Sequence, residues 1–190
     1  MVSFTISALT LGLAALGSSA PTDTTPVAAT TTRSPSQNPP AAFPLHLAAP
    51  GYEPLPLVAV KGAAIGNYNL VFKNPAVYYA TPAYLNNTAL AFYVDGQDLA
   101  HPYTMNFGDT IQGPGDLNDV TAIYGFNEAE RGLGFADNGV LEYVDGRSIP
   151  FFACKGTLNG VEQLSLKIGQ AEVDGSAPEG CVVANIVKPN

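Results

Sequence analysis

The stretch LPLVAVKGAAIGNYNLVFK, residues 55–73, is where the chain begins to read as folded structure, and it reads as β. Its two ends, 57–61 and 68–73, are rich in aliphatic, β-branched and aromatic residues, with Gly and Asn between them. Such side chains suit a pleated, half-buried surface, and turn-forming residues bound the runs. The same punctuation continues to the C-terminus, with candidate strands at 76–80, 89–94, 120–126, 140–144, 149–153, 162–168 and 181–187. No stretch beyond residue 55 keeps a helical period of about 3.6 residues over three turns. The pattern predicts an all-β chain: a single compact antiparallel β domain over residues 43–190, closed as a barrel, trefoil-like in one version, or stacked as a sandwich.

An internal echo bears on that choice. Tyr93-Val94-Asp95-Gly96 recurs as Tyr143-Val144-Asp145-Gly146, and a third Val-Asp-Gly stands at Val173-Asp174-Gly175. Asp-Gly between apolar runs signals a hairpin, because both central residues of the tight turn take positive φ. Three hairpins choosing the same turn chemistry is one reading, and a degenerate trefoil repeat is the other.

Upstream of the β pattern the composition changes. Residues 1–20 carry no Asp, Glu, Lys or Arg, hold an apolar run from Phe4 to Leu16, and end in Gly17-Ser18-Ser19-Ala20. Small residues at Ser18 and Ala20 sit where signal peptidase requires them, so 1–20 reads as a signal peptide and the protein as secreted. The run is too short to span a membrane, which needs about 20 apolar residues. Residues 21–42 are dominated by Ser, Thr, Pro and Ala and read as a disordered arm, since they offer too little apolar surface to offset their ordering entropy. If the arm is a glycosylated stalk, Thr22, Thr24, Thr25, Thr30, Thr31, Thr32, Ser34 and Ser36 are its O-glycosylation acceptors; an unmodified leader is the alternative. Phe43-Pro44-Leu45-His46-Leu47 alternates as a first edge strand would, which turns His46 outward.

The net charge of −8 and only eight scattered Lys and Arg argue against nucleic acid or an anionic membrane as a partner. Catalytic machinery is not signalled. His46 and His101 are the two histidines, and no nucleophile elbow, zinc-protease spacing or phosphate-binding glycine loop occurs. We therefore expect no catalytic residue, no metal and no cofactor. A glycosidase needs only two suitably spaced carboxylates and remains a third option. The glycine-rich segment 109–119, DTIQGPGDLND, reads as an exposed acidic loop, because it lacks the ligand spacing of a calcium loop. The chain has no Trp, which leaves its nine tyrosines as the platforms for any sugar ring. Of these Tyr78, Tyr79 and Tyr84 cluster, and strand alternation would place Tyr78 and Tyr79 on opposite faces.

Two covalent features complete the reading. Cys154 and Cys181 are the only cysteines, and behind a signal peptide an isolated pair is most simply a disulfide. Asn86-Asn87-Thr88 is an N-glycosylation sequon with Asn86 as acceptor.

Three phrases carry a likeness. They are Leu90-Ala91-Phe92-Tyr93-Val94-Asp95-Gly96-Gln97-Asp98-Leu99; Asn138-Gly139-Val140-Leu141-Glu142-Tyr143 followed by Ala153-Cys154; and Gly180-Cys181-Val182-Val183. In these phrases the chain resembles the PhiA-like fungal cell-wall proteins, a family named for a role in phialide and conidium development. It departs from the family pattern at Lys155, where a proline usually follows Ala-Cys, and in having a single cysteine pair. The resemblance implies a wall-associated, non-enzymatic role. The expected function is thus a secreted structural protein of the fungal cell wall or extracellular matrix. A lectin-like module with wall polysaccharide as partner is the alternative.

Overall fold

The computed structural model describes residues 41–94, 102–108 and 111–189. Residues 1–20, read as a signal peptide, the Thr and Ser residues of the arm expected as glycan acceptors, Asp95-Gly96, His101 and Asp109 lie outside the described residues. Within them the chain is all-β, with twelve strands and no helix. In chain order these are β1 (His46–Ala48), β2 (Leu55–Lys61), β3 (Asn67–Phe72), β4 (Ala83–Asn86), β5 (Ala89–Phe92) and β6 (Tyr103–Phe107). They continue with β7 (Leu117–Tyr124), β8 (Leu133–Phe135), β9 (Leu141–Tyr143), β10 (Phe151–Leu158), β11 (Val161–Gly169) and β12 (Cys181–Val187).

Ten strands form one antiparallel sheet, ordered β10-β12-β1-β2-β3-β11-β7-β6-β5-β4, and β8–β9 form a small second one. Because β10 pairs with β11 as well as with β12, the first six of these close into a ring. At one junction β7 takes β11 along Leu117–Asp119 and β3 along Thr121–Ile123, and from there β6, β5 and β4 fold away as a second wall. That wall returns to the ring through Phe43, whose backbone exchanges hydrogen bonds with Ala83 at 2.8 and 2.9 Å. The result is a barrel with an attached flap. It is not a trefoil. A threefold repeat would spread the ring strands evenly along the chain, whereas here all six come from the two ends of the domain, β1–β3 and β10–β12.

Three expectations are corrected. The described Asp-Gly pairs do turn the chain, but neither joins paired strands. Asp145 holds its turn by accepting from the Arg147 amide, and Pro150 then diverts the chain before β10. Asp174 accepts from the Ser176 amide at 2.9 Å in the connection between β11 and β12, which are separated by β10. A two-residue hairpin stands instead at Asn159-Gly160, between β10 and β11, with φ of 52° and 77° as a primed turn requires. Second, the segment opening at Phe43 is no edge. Leu45 and Leu47 are fully buried, and β1 lies between β2 and β12. Third, residues 76–80 form no strand. Asn74-Pro75 starts a turn in which Asn74 Oδ1 accepts from the Ala76 amide, and its carbonyl accepts from Val77 and Tyr78. Strands β4, β6 and β8 carry no candidate in the sequence reading; β4 has four residues and β8 three, too short to show a period of two.

The main core draws on the barrel and the second wall together, with Leu47, Leu57, Leu70, Phe72, Phe92, Met105, Leu166, Ile168 and Ile186 among its members. Alternate positions such as Val71, Ala91 and Phe152 are buried as well, on the opposite face of their strands. These strands are therefore covered on both sides, which suits their uninterrupted apolar sequences.

Candidate functional site

The turn at Asn74-Pro75 lifts the chain off the sheet before Thr81 brings it back. The Thr81 amide donates to the Leu57 carbonyl at 2.9 Å, and the Thr81 Oγ1 accepts from the Ala59 amide at 2.9 Å. The loop so pinned exposes Val77, Tyr78 and Tyr79, the last being 94% accessible. With Val58, Tyr93 and Val94 they line one groove of about 440 Å³. The expectation that Tyr78 and Tyr79 face apart fails for the same reason that 76–80 is no strand: alternation does not apply to a turn. Both rings border the same hollow.

The groove is rigid on its far side. Tyr93 stacks on Tyr84, with ring centres 4.7 Å apart and planes 23° off parallel, and the Tyr93 amide donates to the Pro82 carbonyl at 2.8 Å. Burial, helped by the neighbouring Tyr93, pushes the Tyr84 hydroxyl up to about 12, and burial raises Tyr93 too. Both are neutral donors at any ordinary pH. Lys73 places its ammonium 5.4 Å from the centre of the Tyr78 ring and donates to Gln163 Oε1 at 2.6 Å. Among the described lining residues there is no Asp or Glu. The groove thus offers ring faces and hydroxyls, the equipment for stacking and hydrogen-bonding a polyol.

A second constellation surrounds Arg147. Its guanidinium stacks 4.1 Å from the centre of the Tyr143 ring, meets Asp145 Oδ2 through Nε at 2.9 Å and Glu130 Oε1 at 2.5 Å, and donates to the Arg131 carbonyl. The hydrogen bonds from Arg147 hold Asp145 below the usual carboxylate range, and those to Asp145 and Glu130 hold Arg147 above its own. Burial, then the nearby Glu130 charge, raises the Tyr143 hydroxyl. Asp145 and Glu130 are both engaged by one arginine. That pins the loop between β9 and β10.

The remaining sequence candidates can be placed. Cys154 and Cys181 form a disulfide, as expected, between directly opposed residues of β10 and β12 with Cα atoms 4.0 Å apart. Replacing Cys154 with Ser should cost about 2–4 kcal/mol, mainly by freeing the unfolded chain; a denaturation midpoint unchanged from the native protein would contradict this. Asn86 is exposed at the end of β4, beside Asn87 at φ 55°, on a hairpin tip with room for a glycan. His46 is half-buried within β1. In the acidic segment Asp119 pairs with Lys167 at 2.5 Å, and Asp116 accepts from the Gln112 amide. Among the described residues no group of three or more His, Cys, Asp or Glu is placed to hold a metal ion. Sequence reasoning passed over Tyr93 as a groove residue; the Asn-Pro pair before Tyr78 was the signal that could have found it. No family model, curated protein or solved structure matches the chain.

Proposed function

We propose that this is a secreted, non-enzymatic protein of the fungal cell wall or extracellular matrix whose β domain binds wall polysaccharide. The observation that carries the reading is the groove bordered by Tyr78, Tyr79 and Tyr93, with two exposed rings on one loop and no described carboxylate among its lining residues. Exposed aromatic rings cost solvation unless something stacks on them, and sugar faces are apolar enough to do so while their hydroxyls meet the tyrosine hydroxyls. The signal-like N-terminus and the resemblance to the PhiA-like wall proteins support the location. The absence of nucleophile and phosphate motifs from the sequence, and the Arg147 clasp on Asp145 and Glu130, support binding over hydrolysis.

The test is co-sedimentation with insoluble wall glucan and with chitin. Tyr79→Ala should weaken binding about tenfold, equivalent to about 1.4 kcal/mol, with circular dichroism and melting unchanged because the ring is exposed. Retention of full binding by a Tyr78→Ala, Tyr79→Ala double variant would remove the groove from the account.

A further inference from the structure

The sheet beside the tyrosine groove carries its surface further across the barrel. Val58, one of the groove's lining residues, lies opposite Val71, Val71 opposite Ser165, and Ser165 opposite Cys154, a single row across β2, β3, β11 and β10. Directly opposed residues of a sheet share a face. The row alternates with core residues: Leu70 and Phe72 flank Val71, Leu166 follows Ser165 and Ala153 precedes Cys154. It therefore looks away from the core, on the groove's side of the sheet. Neighbouring strands stand about 4.8 Å apart, so the row runs about 14 Å from Val58 to Cys154.

A hollow of about 210 Å³ opens at the far end of that row, where Ser165 and Cys154 line it with Asn69, Gly156, Asp119 and Lys167. Asn69 stands two residues before Val71, Gly156 two after Cys154 and Lys167 two after Ser165, and Asp119 lies opposite Lys167, so all of them share the face of the row. Leu70, Val120 and Leu166 also border the hollow, but each is only 1% exposed, which leaves the lining to the outward side chains. Between groove and hollow the same face is bridged. Lys73 sets its ammonium against the Tyr78 ring and donates to Gln163 Oε1, and Gln163 precedes Ser165 by two on β11.

The two ends of this track do different chemistry. Tyrosine rings stack on the faces of sugars and discriminate little among them. At the other end the Asn69 amide and the Ser165 hydroxyl both give and take hydrogen bonds, as each sugar hydroxyl does, and Lys167 is answered by Asp119 at 2.5 Å. A net charge of −8 disfavours an acidic polymer. The geometry points to one extended site for a single neutral polysaccharide chain, laid across β2, β3, β11 and β10, with Asn69 and Ser165 as the residues that set its specificity. Such a chain advances by roughly one strand spacing per sugar, so groove and row together hold about six units. This rests on the polysaccharide reading above and adds to it the course of the chain, its length and the end that selects it.

The experiment is calorimetry on the full chain with laminarin-type glucose trimers and hexamers, the same lengths of chitin-type N-acetylglucosamine oligomer, and glucuronic acid oligomers for comparison. The native protein should bind a single neutral oligomer per chain, the hexamer about tenfold more tightly than the trimer, since the longer chain adds hydrogen bonds at the polar end. An Asn69→Ala, Ser165→Ala double variant should bring the hexamer down to the affinity of the trimer and leave the trimer where it was, which also shows that the fold is intact. Gly156→Leu should do the same by filling the hollow; Gly156 is exposed and an added Cβ meets nothing within 4 Å. Tyr79→Ala should weaken both lengths. Equal affinity for trimer and hexamer, or hexamer binding untouched by the double variant and by Gly156→Leu, would overturn the extended site and leave the groove standing. Tighter binding of glucuronic acid oligomers would overturn the neutral class. No binding by the native protein at any length would overturn the polysaccharide reading and the extended site with it.

Discussion

A chain shortened to begin at Pro54 should lose its cooperative unfolding transition, whereas one beginning at Ala41 should melt with the full-length protein. The shorter chain lacks β1, and with it the ladder partners of both β2 and β12. The ring opens and two strands acquire bare edges, which template aggregation. Leu45 and Leu47, both fully buried, leave the core, at about 1.5–3 kcal/mol each. Phe43 goes as well, and with it the tie to Ala83 that anchors the flap. These losses together are comparable to the whole stability of a domain, about 5–15 kcal/mol. Calorimetry on the two truncations decides the matter. A sharp transition for the chain beginning at Pro54 would show that β1 is dispensable and the ring a formality.

Gly169→Ala should destabilise by more than about 4 kcal/mol, in the range reserved for a specific structural fault. Gly169 ends β11 opposite Leu117, and a methyl group there would fall 2.0 Å from the backbone oxygen of Asp116 and 2.8 Å from Leu117 Cδ2. The obstacle is main chain. It is fixed by the Gln170 amide donating to Asp116 and the Gly115 amide donating to Gln170, so it cannot swing aside as a side chain could. Gly134→Ala is the informative contrast, because its nearest obstacle is a Val144 methyl at 2.4 Å, on an exposed side chain free to change rotamer. Gly156→Ala meets nothing within 4 Å and should be close to neutral. Equal midpoints for all three variants in urea would show that the junction of β7 and β11 is looser than described.

The legible part of the fold was the part written in long runs. Strands such as β2, β3, β11 and β12 carry enough β-branched and aliphatic residues to be read directly, and the cysteine pair followed from compartment and count. The pairing of β1 with β12 was not legible, because three residues hold no period and their partners lie 139 residues away, as for Leu47 and Ile186. The Val-Asp-Gly echo misled for a physical reason. Asp-Gly makes a tight turn wherever it stands, but whether the flanking runs pair depends on what else competes for them. Around Asp145 the winner is the Arg147 clasp. The candidate site was hidden by the same rule that revealed the strands, since period-two reasoning separates Tyr78 from Tyr79 only if the backbone is extended.

That closure has a cost in time. During synthesis β1 emerges long before β12, and at about 5–20 residues per second the gap between Leu47 and Ile186 is on the order of ten seconds. Until the last strand arrives, β1 has a partner on one side only, and Cys154 has no Cys181 to oxidise with. The disulfide is thus a timestamp: it can form in native register only after the start of β12 has reached β10. A nascent chain of this design depends on whatever shields its open strands while it waits. A stop codon between Cys154 and Cys181 would release an unclosed sheet with a lone thiol.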